Sequence, residues 1–174
     1  MRFVIGNAGE KYDYRLSLLI KLFVMKRIMK GGPILGVIHD GVLLACVTVT
    51  SPHDRSTDDR LEEIEEYIWN ELGQDAQNRY KALCKLWSKF EVGVPHYHIN
   101  MIGVRSLLKS RGLGSKLLEA VHKMSYDDPD STGVTLTTED PSNVPFYQHH
   151  GYKVKEYFIS SKTLGTWCFF RPDK

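Results

Sequence analysis

The chain has little cysteine: Cys46, Cys84 and Cys168 are its only three in 174 residues, an odd number at wide spacings. That excludes a disulfide framework and a zinc pattern, and leaves each cysteine to serve as a small buried hydrophobe in a reducing compartment. A long apolar run is lacking too. Leu16 to Val24 is broken by Lys21, and the N-terminus carries no charged-then-apolar leader. No membrane span or signal peptide is therefore expected, and a cytoplasmic location is. Charge of one sign is also missing, with 23 Lys and Arg against 21 Asp and Glu for a formal net charge of +2. The bases are scattered rather than striped among aromatics, which argues against a nucleic-acid partner. One local cluster, Arg105, Lys109, Arg111 and Lys116, stands out from that scatter.

What is present is the balance of an ordinary globular chain, 42% apolar and 25% charged. With no repeat and no dividing linker, residues 1–174 read as one domain with enough apolar surface to bury a core. The run Phe3-Val4-Ile5 is too short to assign. From Tyr14 to Met29 the residues Leu16, Leu19, Ile20, Phe23 and Ile28 predict one apolar helix face, stopped by Gly31-Gly32-Pro33. Ile34 to His39 and Val42 to Thr50 predict strands joined through Asp40-Gly41, a pair that tolerates positive φ and marks a hairpin. Asp58 to Phe90 predicts two helices divided at Gly73. Their stripes are Leu61, Ile64, Ile68, Leu72 and then Ala76, Tyr80, Leu83, Trp87, Phe90, and Glu62, Glu63, Glu65 and Glu66 form a solvated face.

His96 to Val104 alternates loosely and predicts a strand, and Gly114 to Met124 a helix with Leu117, Leu118, Val121 and Met124 inward. Gly133 to Thr138 follows as a strand, Val144 to His149 as a short helix, and Tyr152 to Ile159 and Thr166 to Phe170 as strands. Strand–helix–strand from His96 to Thr138 demands a right-handed crossover and hence a parallel pair. A mixed sheet in an α/β (α+β) chain is the expectation.

The chemistry concentrates in Ile102-Gly103-Val104 and the loop Lys109-Ser110-Arg111-Gly112-Leu113-Gly114-Ser115. The loop passes from a strand end into a helix, whose first turn leaves N–H groups unsatisfied and carries positive partial charge, a seat for a diphosphate. Gly112 and Gly114 clear side chains from the approach, while Lys109 and Arg111 add charge. By itself, Gly-x-Gly before a helix is equally a glycine-softened helix start with solvated bases. No Gly-Lys-Ser/Thr stands where a Walker-type loop needs it, and a dinucleotide fingerprint lacks its third glycine, since position 117 is Leu.

Val104 with Lys109 to Gly114 resembles the acetyl-CoA signature of the Gcn5-related N-acetyltransferases (GNAT), Gln/Arg-x-x-Gly-x-Gly/Ala. Two departures are Lys109 for the usual Gln or Arg, which keeps charge without the planar fork, and Arg105-Ser106 where an acidic residue and a proline often stand. Downstream, Asn143-Val144-Pro145-Phe146-Tyr147 followed by Gly151-Tyr152 resembles the family's Asn-x-x-x-Tyr and Gly-Phe/Tyr. The resemblance covers residues 96–159. It implies a mixed, mostly antiparallel sheet flanked by helices, its central parallel pair splayed to admit acetyl-CoA, with acceptor-side helices in residues 14–95. The family's fold often opens with a strand and helix ahead of this segment, so the N-terminal part reads as short or divergent.

The implied roles follow. Ile102, Gly103 and Val104 pair along the pantetheine arm, and the N–H groups of Lys109 to Gly114 hold the diphosphate. Ser115 either adds its hydroxyl or is a plain early-helix residue. Asn143 binds the pantetheine arm or caps the next helix. Tyr147 protonates the departing thiolate as general acid, or packs at the helix base as an aromatic. A lysine-like amine needs about 4 to 5 kcal/mol to lose its proton at neutral pH. Base candidates are His98, which shares a strand face with His96 and Asn100, and Glu139 beyond the neighbouring strand. His149-His150 are adjacent, with no third ligand near in sequence, and no metal is expected.

The implied activity is acetyl transfer from acetyl-CoA to an amine of a small molecule or peptide, within a ternary complex. The alternative is a non-catalytic acyl-CoA sensor or scaffold. A homodimer is compatible with the sequence without being specified by it, and residues 51–95 carry no motif that names the acceptor.

Overall fold

The protein is described by a computed structural model covering residues 2–54, 59–90, 92–161 and 164–174. Its chain forms two compact units, one of Met1–Gly31 with Arg55–Glu91 and one of Gly32–Asp54 with Val92–Lys174.

The first unit's described elements are helices: α1 (Arg2–Ile5), α2 (Tyr12–Met29), α3 (Asp59–Leu72) and α4 (Gln74–Trp87). Phe3-Val4-Ile5 is helical, with Val4 and Ile5 buried and the Arg79 Nε donating to the Val4 carbonyl at 3.0 Å. In α2 the buried face runs through Leu18, Leu19 and Leu22, whereas Ile20 and Ile28 are exposed. The expected face holds at Leu19, with Leu16 and Phe23 half-buried, and is corrected at Ile20 and Ile28. Apolar residues nearly encircle this helix, so periodicity alone had no strong axis to choose, and contact with α1 and α3 chose it.

Gly73, at φ 79°, divides α3 from α4 as its position suggested. Leu61, Ile68, Leu72, Ala76 and Leu83 are buried, and Glu62, Glu63 and Glu66 are solvated. Asp58, the expected start of α3, lies outside the described residues.

The second unit holds a six-stranded sheet in the order β1-β2-β3-β4-β6-β5. Its strands are β1 (Ile34–His39), β2 (Val42–Thr50), β3 (Tyr97–Val104), β4 (Gly133–Thr138), β5 (Lys153–Ser161) and β6 (Leu164–Pro172), and its helices are α5 (Leu113–Asp127) and α6 (Val144–His149). Every pairing is antiparallel except β3 with β4. Asp40 and Gly41 both take positive φ at the tip of the β1–β2 hairpin. β6 outruns the expected Thr166 to Phe170 because it pairs on both sides, its far end with Gly133 and Val134.

Helix α5 lays Leu117, Leu118 and Val121 on this sheet against Val47, Val49, Tyr97, Ile99, Val134, Leu136 and Phe169, with Met124 partly buried beside them. The loose alternation of β3 has a physical cause. Thr48 pairs with Met101 and Val49 with Ile99, so Asn100 is an extra residue in the strand. Tyr97 and Ile99 face the core before the bulge and Ile102 and Val104 pack on it afterwards, a step of three between Ile99 and Ile102 where an even strand steps by two.

Candidate active site

Parallel pairing of β3 with β4 spans Tyr97–Val134, His98–Thr135 and Ile99–Leu136 and stops there. Beyond it β3 stays paired to β2 through Val104, so the two central strands part at the bulge. The chain leaving β3 is pinned by Arg105, whose backbone N–H and Nε donate to the carbonyls of Leu44 and Leu43, each at 2.9 Å. A 3-10 turn, Ser106–Leu108, leads into the loop before α5.

That loop is bent by two left-handed residues, Ser110 at φ 63° and Gly112 at φ 75°. A serine there is uncommon and strained, a feature that collects at binding sites. Among the described residues the N–H groups of Ser110 to Ser115 donate to no backbone carbonyl, and the first such bond is Lys116 to Gly112 at 3.0 Å. Unused donors and the positive end of α5 therefore lie together at this loop. The two glycines serve different needs. Gly112 is required by its φ, with open space where a Cβ would stand, whereas a Cβ on Gly114 would meet the Phe146 ring at 3.3 Å.

A cleft of about 530 Å³ opens here. Ten of the residues singled out from the sequence line it: Ile102, Val104, Lys109, Ser110, Gly112, Leu113, Gly114, Ser115, Asn143 and Tyr147. Gly103 and Arg111 are exposed and outside that lining. Leu108 and Phe146 line it too and were missed. Leu108 had only its apolarity within a polar turn as a signal, and Phe146 its place inside the Asn143–Tyr147 segment.

Tyr147 is 6% exposed and packs on Phe169, Tyr152 and Phe146 at centroid distances of 5.7, 5.9 and 5.4 Å. Burial, and next the charge of Glu139, push its phenol up to about 12. It is therefore a protonated donor at every physiological pH. Glu139 follows β4 and accepts from the Thr166 hydroxyl at 3.4 Å. His98 stands apart from the cleft lining, its Nδ1 2.8 Å from the Thr135 hydroxyl across the parallel pair.

The capping reading of Asn143 is corrected. Its side chain makes no cap bond and reaches the Thr138 hydroxyl at 3.4 Å instead. Asn143 already has helical φ and ψ, so the cap belongs one turn earlier, where extended Asp140 accepts from the Ser142 N–H at 2.9 Å and the Ser142 hydroxyl at 2.7 Å. Those bonds, foremost the one from the hydroxyl, hold the Asp140 carboxyl below its usual range, with help from Lys109. Ser115 reaches a partner that spacing did not suggest, the Nε2 of His150 at 3.0 Å.

A second polar cluster lies at the other end of β3. His53 Nε2 sits 2.9 Å from Asp128 and 3.9 Å from Asp130, and Tyr97 donates to Asp128 at 2.9 Å. These contacts tie the turn after β2 to the loop before β4. His149 and His150 stack edge to face, with ring centroids 5.4 Å apart. Of the cysteines, Cys168 is buried, and Cys46 and Cys84 half-buried. Among the described residues, no helix is long and apolar enough to cross a membrane.

Comparison with known proteins agrees with this architecture. Residues 57–162 match the acetyltransferase (GNAT) domain family. No curated protein sequence matches the chain. A histone acetyltransferase HPA2 and related acetyltransferase from Corynebacterium glutamicum superposes with a TM-score of 0.60 at 17% identity, over 94% of this chain and 77% of that one. The apo form of a mutant agmatine N-acetyltransferase gives 0.59 at 17% identity, over 80% and 73%. The ribosomal-protein-S18-alanine N-acetyltransferase of Escherichia coli gives 0.54 at 11% identity, over 88% and 76%. At such identities the likeness is one of fold.

Proposed function

Because the chain belongs to the acetyltransferase (GNAT) family, we propose that it transfers the acetyl group of acetyl-CoA to a primary amine of a small molecule or peptide, by direct attack in a ternary complex. The observation that carries the reading is the cleft itself. Strand parting, an unpaired row of N–H donors, Lys109 and a buried tyrosine converge on one space of about 530 Å³.

On this reading the N–H groups of Ser110 to Ser115 bind the diphosphate, with Lys109 adding charge. The edge of β3 at Ile102 to Val104 holds the pantetheine arm as a strand would. Asn143 stands on the wall, free of a capping duty. Holding both reactants at near-attack distance supplies much of the rate, and no covalent enzyme intermediate is required.

The raised phenol of Tyr147 shapes its role. A group near 12 does not surrender its proton outright to a thiolate whose thiol has a pKa of about 8.5. Tyr147 instead donates a hydrogen bond that strengthens as charge builds on sulfur. The step balances as the proton that the attacking nitrogen loses is relayed to the departing sulfur through Tyr147, so that a thiol leaves and the phenol is restored. Glu139 is the better placed of the two base candidates, near enough to Tyr147 to raise its pKa, whereas the Nδ1 of His98 is engaged with Thr135. We read residues 1–174 as one acetyltransferase domain working in the cytoplasm without a nucleic-acid or membrane partner.

Isothermal titration of acetyl-CoA into the wild type and Gly112→Asp tests the reading. Asp tolerates left-handed φ better than most residues, so the variant keeps the loop while placing a negative charge against the diphosphate. Micromolar binding, lost in a variant with unchanged circular dichroism, is expected. A folded wild type that does not bind refutes the enzyme and the acyl-CoA sensor together, and turnover across a panel of amines separates those two.

A further inference from the structure

Ser115 is the third residue of α5 and lines the cleft, and among the described residues its hydroxyl has one hydrogen-bond partner, His150, 35 residues later. The histidine is held in place. It closes α6, its backbone N–H bonded to the carbonyls of Phe146 and Tyr147 at 3.3 and 3.0 Å. Its ring stands edge-on to Phe146 at 4.9 Å, and Phe146 in turn rests against Gly114. These contacts set the imidazole beside the hydroxyl.

A serine hydroxyl has one hydrogen to give. When Nε2 of the ring is bare, that hydrogen goes to His150, and the oxygen presents only lone pairs to the cleft. When Nε2 carries a proton, His150 donates to Ser115, and the hydroxyl hydrogen is free to point at an anion. A neutral ring reaches this second arrangement only as its Nε2–H tautomer, while a protonated ring must adopt it and adds a positive charge behind the hydroxyl.

We propose that His150 sets the direction of the Ser115 hydroxyl and so couples binding of the anionic cofactor in this cleft to pH, with CoA held more tightly as the solution is acidified. The inference rests on the cleft being the CoA site.

Three titratable groups surround the imidazole: His149 on α6, and Glu119 and His122 on α5. Burial and the neighbouring His149 lower the His150 pKa, against Glu119, which raises it. The unliganded ring is thus neutral at pH 7. A bound diphosphate favours the protonated ring, and by reciprocity the protonated ring favours the diphosphate. A rise of about one pKa unit on binding corresponds to a gain in affinity of up to tenfold.

The test is the dissociation constant of CoA between pH 5.5 and 8 for the wild type, His150→Gln and Ser115→Ala, with the His150 ring proton followed by NMR in the first. The wild type is expected to gain about three- to tenfold in affinity on acidification, with the His150 titration moving upward when CoA is bound. His150→Gln keeps a hydrogen-bonding group without the charge and is expected to lose most of that pH dependence. What survives is the titration of CoA's own phosphates. Ser115→Ala is expected to retain only the part due to charge. A full pH dependence in His150→Gln, or a His150 titration unmoved by CoA, overturns the inference and leaves the cofactor site standing. No CoA binding by folded wild type at any pH overturns both.

Discussion

At Tyr147, burial does two things at once. It fixes the ring between Phe169 and Tyr152, and it holds the phenol protonated by pushing it up to about 12. Tyr147→Phe keeps the packing and removes only the hydroxyl. The expected result is a fall in kcat of about 100-fold, in the range of a lost hydrogen-bond donor to developing charge, with CoA affinity by titration unchanged. An unaltered rate would reduce Tyr147 to a packing residue. Asn143 teaches a related lesson at this scale: its residue type suits a cap, but a cap is a matter of φ and ψ, and those belong to Asp140. Ser110 is a further case, since nothing in its identity announces a left-handed backbone.

The element that organises the site is β3. Its extra residue, Asn100, re-phases the strand so that Ile102 and Val104 reach the core side just where pairing with β4 ends. The start of α5 is delivered to the same place by the loop from Val104, and the helix is anchored there by Leu118, which is fully buried against the sheet. Leu118→Ala is expected to cost about 2–5 kcal/mol, as for other leucines truncated in a packed core. Urea denaturation followed by circular dichroism measures it, and a loss below about 1 kcal/mol would mean that α5 is not held by this face. The hairpin tip and the Gly73 break were legible because turn chemistry is local. The buried face of α2 was not, because a helix apolar nearly all round carries no direction of its own.

Across the whole molecule, the charge state of a few partly buried groups ties stability to pH. Burial, then Arg171 and His150, lower His122 to about 4, its Nε2 lying 3.0 Å from the Tyr152 hydroxyl. The unfolded chain takes up this proton near pH 6.5 and the folded protein does so only near 4. Its contribution is therefore complete above about pH 6.5 and declines as the pH falls towards 4. Asp128 adds to the same trend at lower pH. Burial works to raise its pKa but is outweighed by bonds from the Asp130 N–H, Tyr97 and His53, so its stabilisation is lost as acid protonates it. Denaturant midpoints are expected to fall between pH 7 and 5 in the wild type, and by less in His122→Gln. Equal falls in both would remove His122 from the account.

The order of the elements, the loop before α5 and the segment from Asn143 to Tyr147 could be read from residues alone, because periodicity, glycine and turn chemistry act over a few positions of chain. The extent of the β3–β4 pairing, the bulge at Asn100, the seat of Phe146 against Gly114 and the meeting of Ser115 with His150 could not. Each joins residues distant along the chain, and such contacts exist only once the sheet has closed and α5 and α6 have been packed beside one another by a core that neither helix carries by itself.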